Sequence, residues 1–302
     1  MTQPTDTADR IAHARSFLFV PGDRPERFDK ALASGADAVV LDLEDAVAPE
    51  RKAVAREAVR AFLMQRREAA GDHRAPAAVS VAPPVLVRIN ATASAWFQAD
   101  IDALTAGSPD AIDGPGAPDA LMVPKAESSD ELAALARALP GVPLVPLIES
   151  ARGLVELHAI AMAPGVARLA LGHIDFIADV GMTPSDDEAE LTPLRFALAV
   201  ASRAAGLPPP IDGVTVAIDD TERLHRDARR AAQLGFTAKL CIHPRQIAAL
   251  HAALRPDASA IAWARRVIAA DAAAGGAAFQ LDGRMVDAPV VLQARRLLAF
   301  LS

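Results

Sequence analysis

Apolar runs of four to six residues recur along the chain, and each stops on a polar or charged residue. The key stretches are FLFVPGDR (17–24), VVLDLEDAV (39–47), LVRIN (86–90), LMVPKAE (121–127), VPLIES (145–150) and LALGHID (169–175). They are rich in Val, Leu and Ile with little alternation, which predicts strands buried on both faces of a parallel sheet. Predicted strands at 16–20, 38–42, 85–89, 120–123, 144–148, 167–171, 212–216 and 238–242 alternate with helical patterns at 25–34, 50–69, 94–104, 128–138, 152–162, 190–205 and 220–234. Such alternation implies right-handed crossovers. Eight units in about 250 residues is the count of a (β/α)8 TIM barrel, whose catalytic groups lie at the C-terminal ends of its strands. An open doubly wound sheet fits less well, because the first strand–helix turn, VPGDRPERF, lacks the usual glycine-rich pattern.

The predicted organisation is an N-terminal tail (1–14), a barrel catalytic domain (15–250) and a C-terminal helical appendage (251–302) that carries DGRMVDAP and a turn at Asp282-Gly283. Loops 70–84 and 105–119 follow helices and belong at the inert end of the barrel. Residues 179–190, acidic and proline-containing, follow the sixth strand on the active side and read as a lid.

Composition narrows the function. A hydrophobic share of 52% over 302 residues gives a folded core. No apolar run reaches the length of a membrane span, and the N-terminus lacks an apolar secretory core. Asp6 and Asp9 argue against an organelle leader, so a cytoplasmic location is expected; the single cysteine, Cys241, fits a reducing compartment. A net charge of −7 and the absence of Tyr speak against nucleic-acid binding, so an anionic substrate must meet a local basic pocket. Only four lysines accompany 27 arginines, which draws attention to Lys125 and Lys239 at predicted strand ends.

Glu149 and Asp175 are read as ending neighbouring strands five and six. Two converging carboxylates suit Mg²⁺, which takes oxygen ligands and keeps waters; singly, each residue reads as a helix cap. Asp42, Glu44 and Asp45 crowd the end of strand two and need a cation, a hydrogen-bond network or water. Arg88 ends strand three and serves either a structural ion pair or a substrate carboxylate. Arg15 and Lys30 flank the first strand and helix, where they meet phosphates or are ordinary surface charges. Lys125 suits a Schiff base or an ion pair. His173 and His243 are given no chemical step.

Taken together, RSFLFVPGDRPERFDKA, LDLEDAVAPERKAVAR, VRIN, VPKAES, PLIESARG, PIDGVT, LGFTAKLCIHPRQI and DGRMVDAPVV resemble the HpcH/HpaI aldolase–citrate lyase β-subunit family, in its CitE-like branch, from about residue 15 to the end. The resemblance implies a (β/α)8 barrel that forms homotrimers. It implies a Mg²⁺-dependent (or Mn²⁺-dependent) carbon–carbon lyase of 3-hydroxyacyl-CoA thioesters, with CoA as part of the substrate. Citramalyl, malyl, methylmalyl and citryl thioesters are the candidates, and thioesterase activity is a variant. Glu149 and Asp175 then hold the metal, Arg88 the substrate carboxylate, and Glu44 and Asp45 belong to the catalytic set. Asp287 is the acid/base, supplied by a neighbouring subunit; on local sequence alone it is a helix N-cap. Many family members carry Glu where this chain has Ile174. The alternatives are a citrate lyase β chain acting on a carrier-protein-bound acyl group, and a lysine aldolase working through Lys125.

Overall fold

The computed structural model describes residues 7–71, 82–105 and 117–299. Eight parallel strands close into a barrel in sequence order. They are β1 (Ser16–Pro21), β2 (Ala38–Asp42), β3 (Val85–Arg88), β4 (Ala120–Val123), β5 (Leu144–Ile148), β6 (Ala170–Leu171), β7 (Ile211–Asp212) and β8 (Ala238–Cys241). β1 closes the ring by pairing with both β2 and β8. The α/β barrel is therefore the one the alternation predicts.

Strand parity sorts the side chains. Ala38 and Val40, Leu86, Ala120 and Met122, Val145 and Leu147, and Ala238 and Leu240 share one core cluster inside the barrel. The next inward positions along the same strands include Asp42, Arg88, Glu149 and Ile242, because residues two apart face the same side. The sequence thus places chemistry on the layer directly above the core.

Residues 7–14 differ from a plain tail. α1 (Thr7–His13) folds, and its Ile11 together with Ala14 joins the barrel core. Arg168 explains the anchoring: fully buried, it donates to the carbonyls of Ile11, Ala14 and Pro209 and to Thr237. Among the described residues no carboxylate bonds it, and burial lowers its pKa to about 9.

Two predicted strands are shorter than expected. Strand six was read over 167–171, but only Ala170–Leu171 form the ladder, and Arg168 is diverted to α1. Strand seven was read over 212–216 and is Ile211–Asp212. Its continuation is taken by side chains, with Thr215 donating to Asp227 and accepting at its carbonyl from Gln246. The helix read over 152–162 divides into α6 (Ala151–Val155) and α7 (Leu157–Ala161). α8 (His173–Val180) stands where strand six was expected to run out.

The reading of 179–190 as a lid meets a tethered loop. Glu188 adopts a left-handed backbone (φ 51°) and ion-pairs with Arg195, on α9 (Thr192–Ala204), and with Arg223 and Arg230, on α10 (Thr221–Gln233). Most of the two long loops expected at the inert end, residues 72–81 and 106–116, lies outside the described residues.

Residues 254–299 make a second compact unit. It holds α12 (Ala258–Ala274), a hairpin of β9 (Phe279–Leu281) and β10 (Arg284–Val286), and α13 (Ala288–Ala299). Asp282 and Gly283 both have positive φ, as a two-residue hairpin turn requires. Ala264, Val267, Val286, Val291 and Ala294 form its core.

Candidate active site

A cavity of about 320 Å³ opens at the C-terminal end of the barrel strands. Asp42, Asp45, Arg88, Glu149 and Asp175 line one part of it; Phe19, Leu147, Leu171, Val214, Leu240 and Ile242 line much of the rest. The acids come from separate elements, so only the closed barrel gathers them.

Glu149 follows β5 and is 2% exposed. Its Oε1 accepts the Lys125 backbone N–H at 2.7 Å, while its buried Oε2 has no partner. Burial, then the charges of Glu44 and Asp175, push its carboxyl up to about 8. Gly172 makes room for it: a Cβ there would overlap Glu149 Oε2 and Cβ. Asp175 is not the strand end read from the sequence. β6 stops at Leu171 and Asp175 lies in the first turn of α8, where it still reaches the cavity. α8 begins at Gly172 with no side-chain cap, so its first N–H groups face the mouth without a cap.

Arg88 is committed to its neighbours. Nε and Nη2 clasp Asp42 at 2.7 and 2.6 Å. Nη1 stands 3.0 Å from Glu44 Oε2, close enough to ion-pair but off the line of a hydrogen bond, and 3.7 Å from Asp45. Its guanidinium lies 4.7 Å over the Phe19 ring. The bidentate edge is therefore used by Asp42, which leaves both hydrogens of Nη1 and one of Nη2 for a substrate oxygen. Asp42 also accepts from the Glu44 and Ala46 amides, which fixes the turn that carries the acids.

Lys125 bridges the two halves of the site. Its ammonium donates to Glu44 at 2.7 Å and stands 3.8 Å from Glu149. Those carboxylates raise its pKa despite burial. Its left-handed backbone (φ 47°) is rare for a side chain with a Cβ. Lys52 donates to the carbonyls of Leu43 and Glu44, steadying the turn from below.

Fully ionised, five carboxylates (Asp42, Glu44, Asp45, Glu149, Asp175) would exceed the three cationic side chains beside them (Arg88, Lys125, Lys52) by two charges, and that crowding of acids helps to raise the Glu149 carboxyl. That excess, with an orphaned carboxylate oxygen, fits a divalent cation held by oxygen ligands. Among the described residues no group of three or more His, Cys, Asp or Glu forms a full metal cage, so two protein carboxylates plus water or substrate oxygens would complete it.

Arg15 precedes β1 at the end opposite the mouth and pairs with Asp37 through its backbone and Nε. Lys30 is exposed on α2 (Phe28–Leu32), and the segment between β1 and α2 brings exposed Arg24 and Arg27 to the mouth side. Lys239 points away from the cavity and bonds Asp212 and the Gly213 carbonyl. His243 accepts the Arg245 N–H at the start of α11 (Arg245–Leu254). Asp287 precedes α13 in the second unit and accepts the Val290 N–H at 3.4 Å, a helix cap. His173 is the residue that sequence reading left without weight. It lines the cavity, its Nδ1 lies against Gly213, its Nε2 is 3.9 Å from Glu188, and burial lowers its pKa to about 4.

Known proteins resemble the chain over nearly its full length. It is 37% identical to a citrate lyase subunit beta-like protein of Mycobacterium tuberculosis, over 93% of each. It is 31% identical to a (3S)-malyl-CoA thioesterase of Cereibacter sphaeroides, covering 94% of this chain and 93% of that protein. The crystal structure of CitE from Mycobacterium tuberculosis in complex with magnesium, acetoacetate and coenzyme A matches with TM-score 0.78 and 35% identity, over 96% of this chain and 98% of that one. The family model for HpcH/HpaI aldolase/citrate lyase matches residues 15–244, and the chain belongs to that family.

Proposed function

We propose that the chain is a Mg²⁺-dependent lyase that cleaves a 3-hydroxyacyl-CoA thioester into an acyl-CoA and a 2-keto acid or glyoxylate. The observation that carries this reading is the buried Glu149 carboxylate, with one oxygen bare beside Asp175 at the cavity mouth. The magnesium and coenzyme A held by the related CitE structure support it.

Glu149 and Asp175 would hold the cation, which when bound supplies Lewis-acid polarisation of the substrate oxygens. The bond between the hydroxyl carbon and the thioester α-carbon breaks. The hydroxyl proton leaves, and the bonding pair passes to the α-carbon as a thioester enolate, which is then protonated. Arg88 donates its remaining N–H groups to the oxygen that becomes the keto group. Asp45, half exposed and only loosely paired with Arg88, is the carboxylate placed to accept the hydroxyl proton. The uncapped start of α8 offers N–H groups to the substrate carboxylate. Glu44 keeps Lys125 and Arg88 in place. Arg24, Arg27 and Lys30 provide the local positive charge for CoA phosphates on an otherwise acidic protein.

Release of keto acid from the thioester with Mg²⁺, and none in EDTA, is the expected result; Glu149→Gln and Asp175→Asn should abolish it. Turnover of either variant in metal-free buffer would refute the site. The likeness to a malyl-CoA thioesterase supports a second activity, hydrolysis of the thioester, read as free CoA release. A carrier-protein substrate is tested by assaying free CoA thioesters alone. A Schiff base at Lys125 fits poorly, because the ammonium is held charged by Glu44; borohydride with substrate should trap no adduct.

Asp287 is proposed as the acid that protonates the enolate, delivered by another copy of the chain in a homotrimer. Mixed oligomers of inactive Asp287→Ala and inactive Glu149→Gln chains should recover part of the activity. Verified mixed oligomers without recovery would mean that Asp287 acts in its own chain or only caps a helix.

A further inference from the structure

Both ends of one residue, Lys125, converge on the acids of the cavity mouth. Its backbone N–H donates to Glu149 Oε1 at 2.7 Å. Its ammonium donates to Glu44 at 2.7 Å and stands 3.8 Å from the same Glu149 oxygen. Among the described residues it is the one cationic side chain that ion-pairs with Glu149. At 3.8 Å it supplies charge without a hydrogen bond, and Glu149 Oε2 stays bare.

The two neighbouring cations are held elsewhere. Arg88 clasps Asp42 with its bidentate edge, and Lys52 donates to the carbonyls of Leu43 and Glu44. Both are buried, whereas the Lys125 side chain is 41% exposed and has room to give way. Buried carboxylates left without a cation are costly. A cation entering beside Lys125, in turn, meets a charge of its own sign. Glu149 either enters that exchange ionised or gives up the proton that a pKa of about 8 allows it to keep. In both cases the site becomes more positive when Mg²⁺ replaces what was there, so the Lys125 charge opposes entry in both.

Resting on the reading that Glu149 and Asp175 hold the cation, we propose that Lys125 is the internal counterion of the empty metal site. It stands in for the cation, keeps Glu44 and Glu149 together while the metal is away, and weakens metal binding by its own charge. Lys125 is thus a positioning residue that sets metal affinity. Its backbone N–H fixes one Glu149 oxygen, and its ammonium leaves the other free for the metal.

The test compares wild type with Lys125→Met and Lys125→Gln. Both keep the Cβ and the backbone N–H and lose the charge; glutamine also keeps a donor for Glu44. Mn²⁺ affinity, read by electron paramagnetic resonance, should rise about tenfold in both, the effect of removing one partly exposed charge that opposes a divalent one. Loss of a merely structural ion pair would loosen the site and lower the affinity instead. In EDTA both variants should melt below wild type, and saturating Mn²⁺ should close most of that gap, because the metal then takes over from the ammonium. Affinity unchanged or lowered overturns the proposal, as does a melting gap of the same size with and without Mn²⁺. If wild type and both variants bind no Mn²⁺ at all, the metal reading itself is refuted and the stand-in falls with it.

Discussion

Glu149 carries a pH signature that belongs to the metal-free protein. Burial and the charges of Glu44 and Asp175 hold its carboxyl at about 8, against an ordinary 4.5. The native state therefore keeps a proton that the unfolded chain has already lost, and stability falls as pH rises through that interval. Urea midpoints in EDTA should decline from pH 4.5 to about 8 and then level. Glu149→Gln should flatten the decline, and a flat wild-type profile would contradict the argument. At Arg88 two effects mix. Arg88→Lys keeps the charge but loses the clasp on Asp42, a fully buried acid. It should cost about 2–4 kcal/mol of stability and about a hundredfold in kcat/KM. A midpoint within error of wild type would show that Asp42 does not depend on the fork. Single residues were legible where strand parity and residue type agreed, as at Asp42, Arg88 and Glu149. His173 was not, because its place depends on Gly213 and Glu188, both distant in sequence.

Elements set the spacing that single residues cannot. Asp175 was expected on a strand end, yet a helix presents it. The glycine before that helix ends β6 and also leaves room for Glu149. Gly172→Ala should keep the barrel, since its φ of −104° suits alanine, but displace the Glu149 carboxylate. Mn²⁺ affinity, read by electron paramagnetic resonance, should fall at least tenfold. Unchanged affinity would mean that Glu149 tolerates the shift. Apolar runs announced most strands because they are buried on both faces. They failed beyond β7, where the Thr215 carbonyl accepts from the Gln246 side chain instead of joining a ladder. The loop holding Glu188 looked free because its three arginine partners lie on later helices.

For the whole molecule, the eight-fold alternation was sufficient to give the barrel, since no other closed parallel arrangement uses eight consecutive units. What it did not give was the floor. α1 seals the end of the barrel opposite the mouth, and Arg168 fastens it by the carbonyls of Ile11 and Ala14. A vessel open at one end imposes a queue. In the proposed reaction the keto acid sits deepest, beside Glu149, and the thioester tail lies above it toward solvent. The acyl-CoA must depart before the keto acid can follow, and in the reverse direction the keto acid must enter first. Steady-state kinetics should therefore be ordered. The keto acid should inhibit competitively against the thioester, because both bind the empty enzyme, and the acyl-CoA should inhibit noncompetitively. The reverse pattern would mean that the deep end has its own way out.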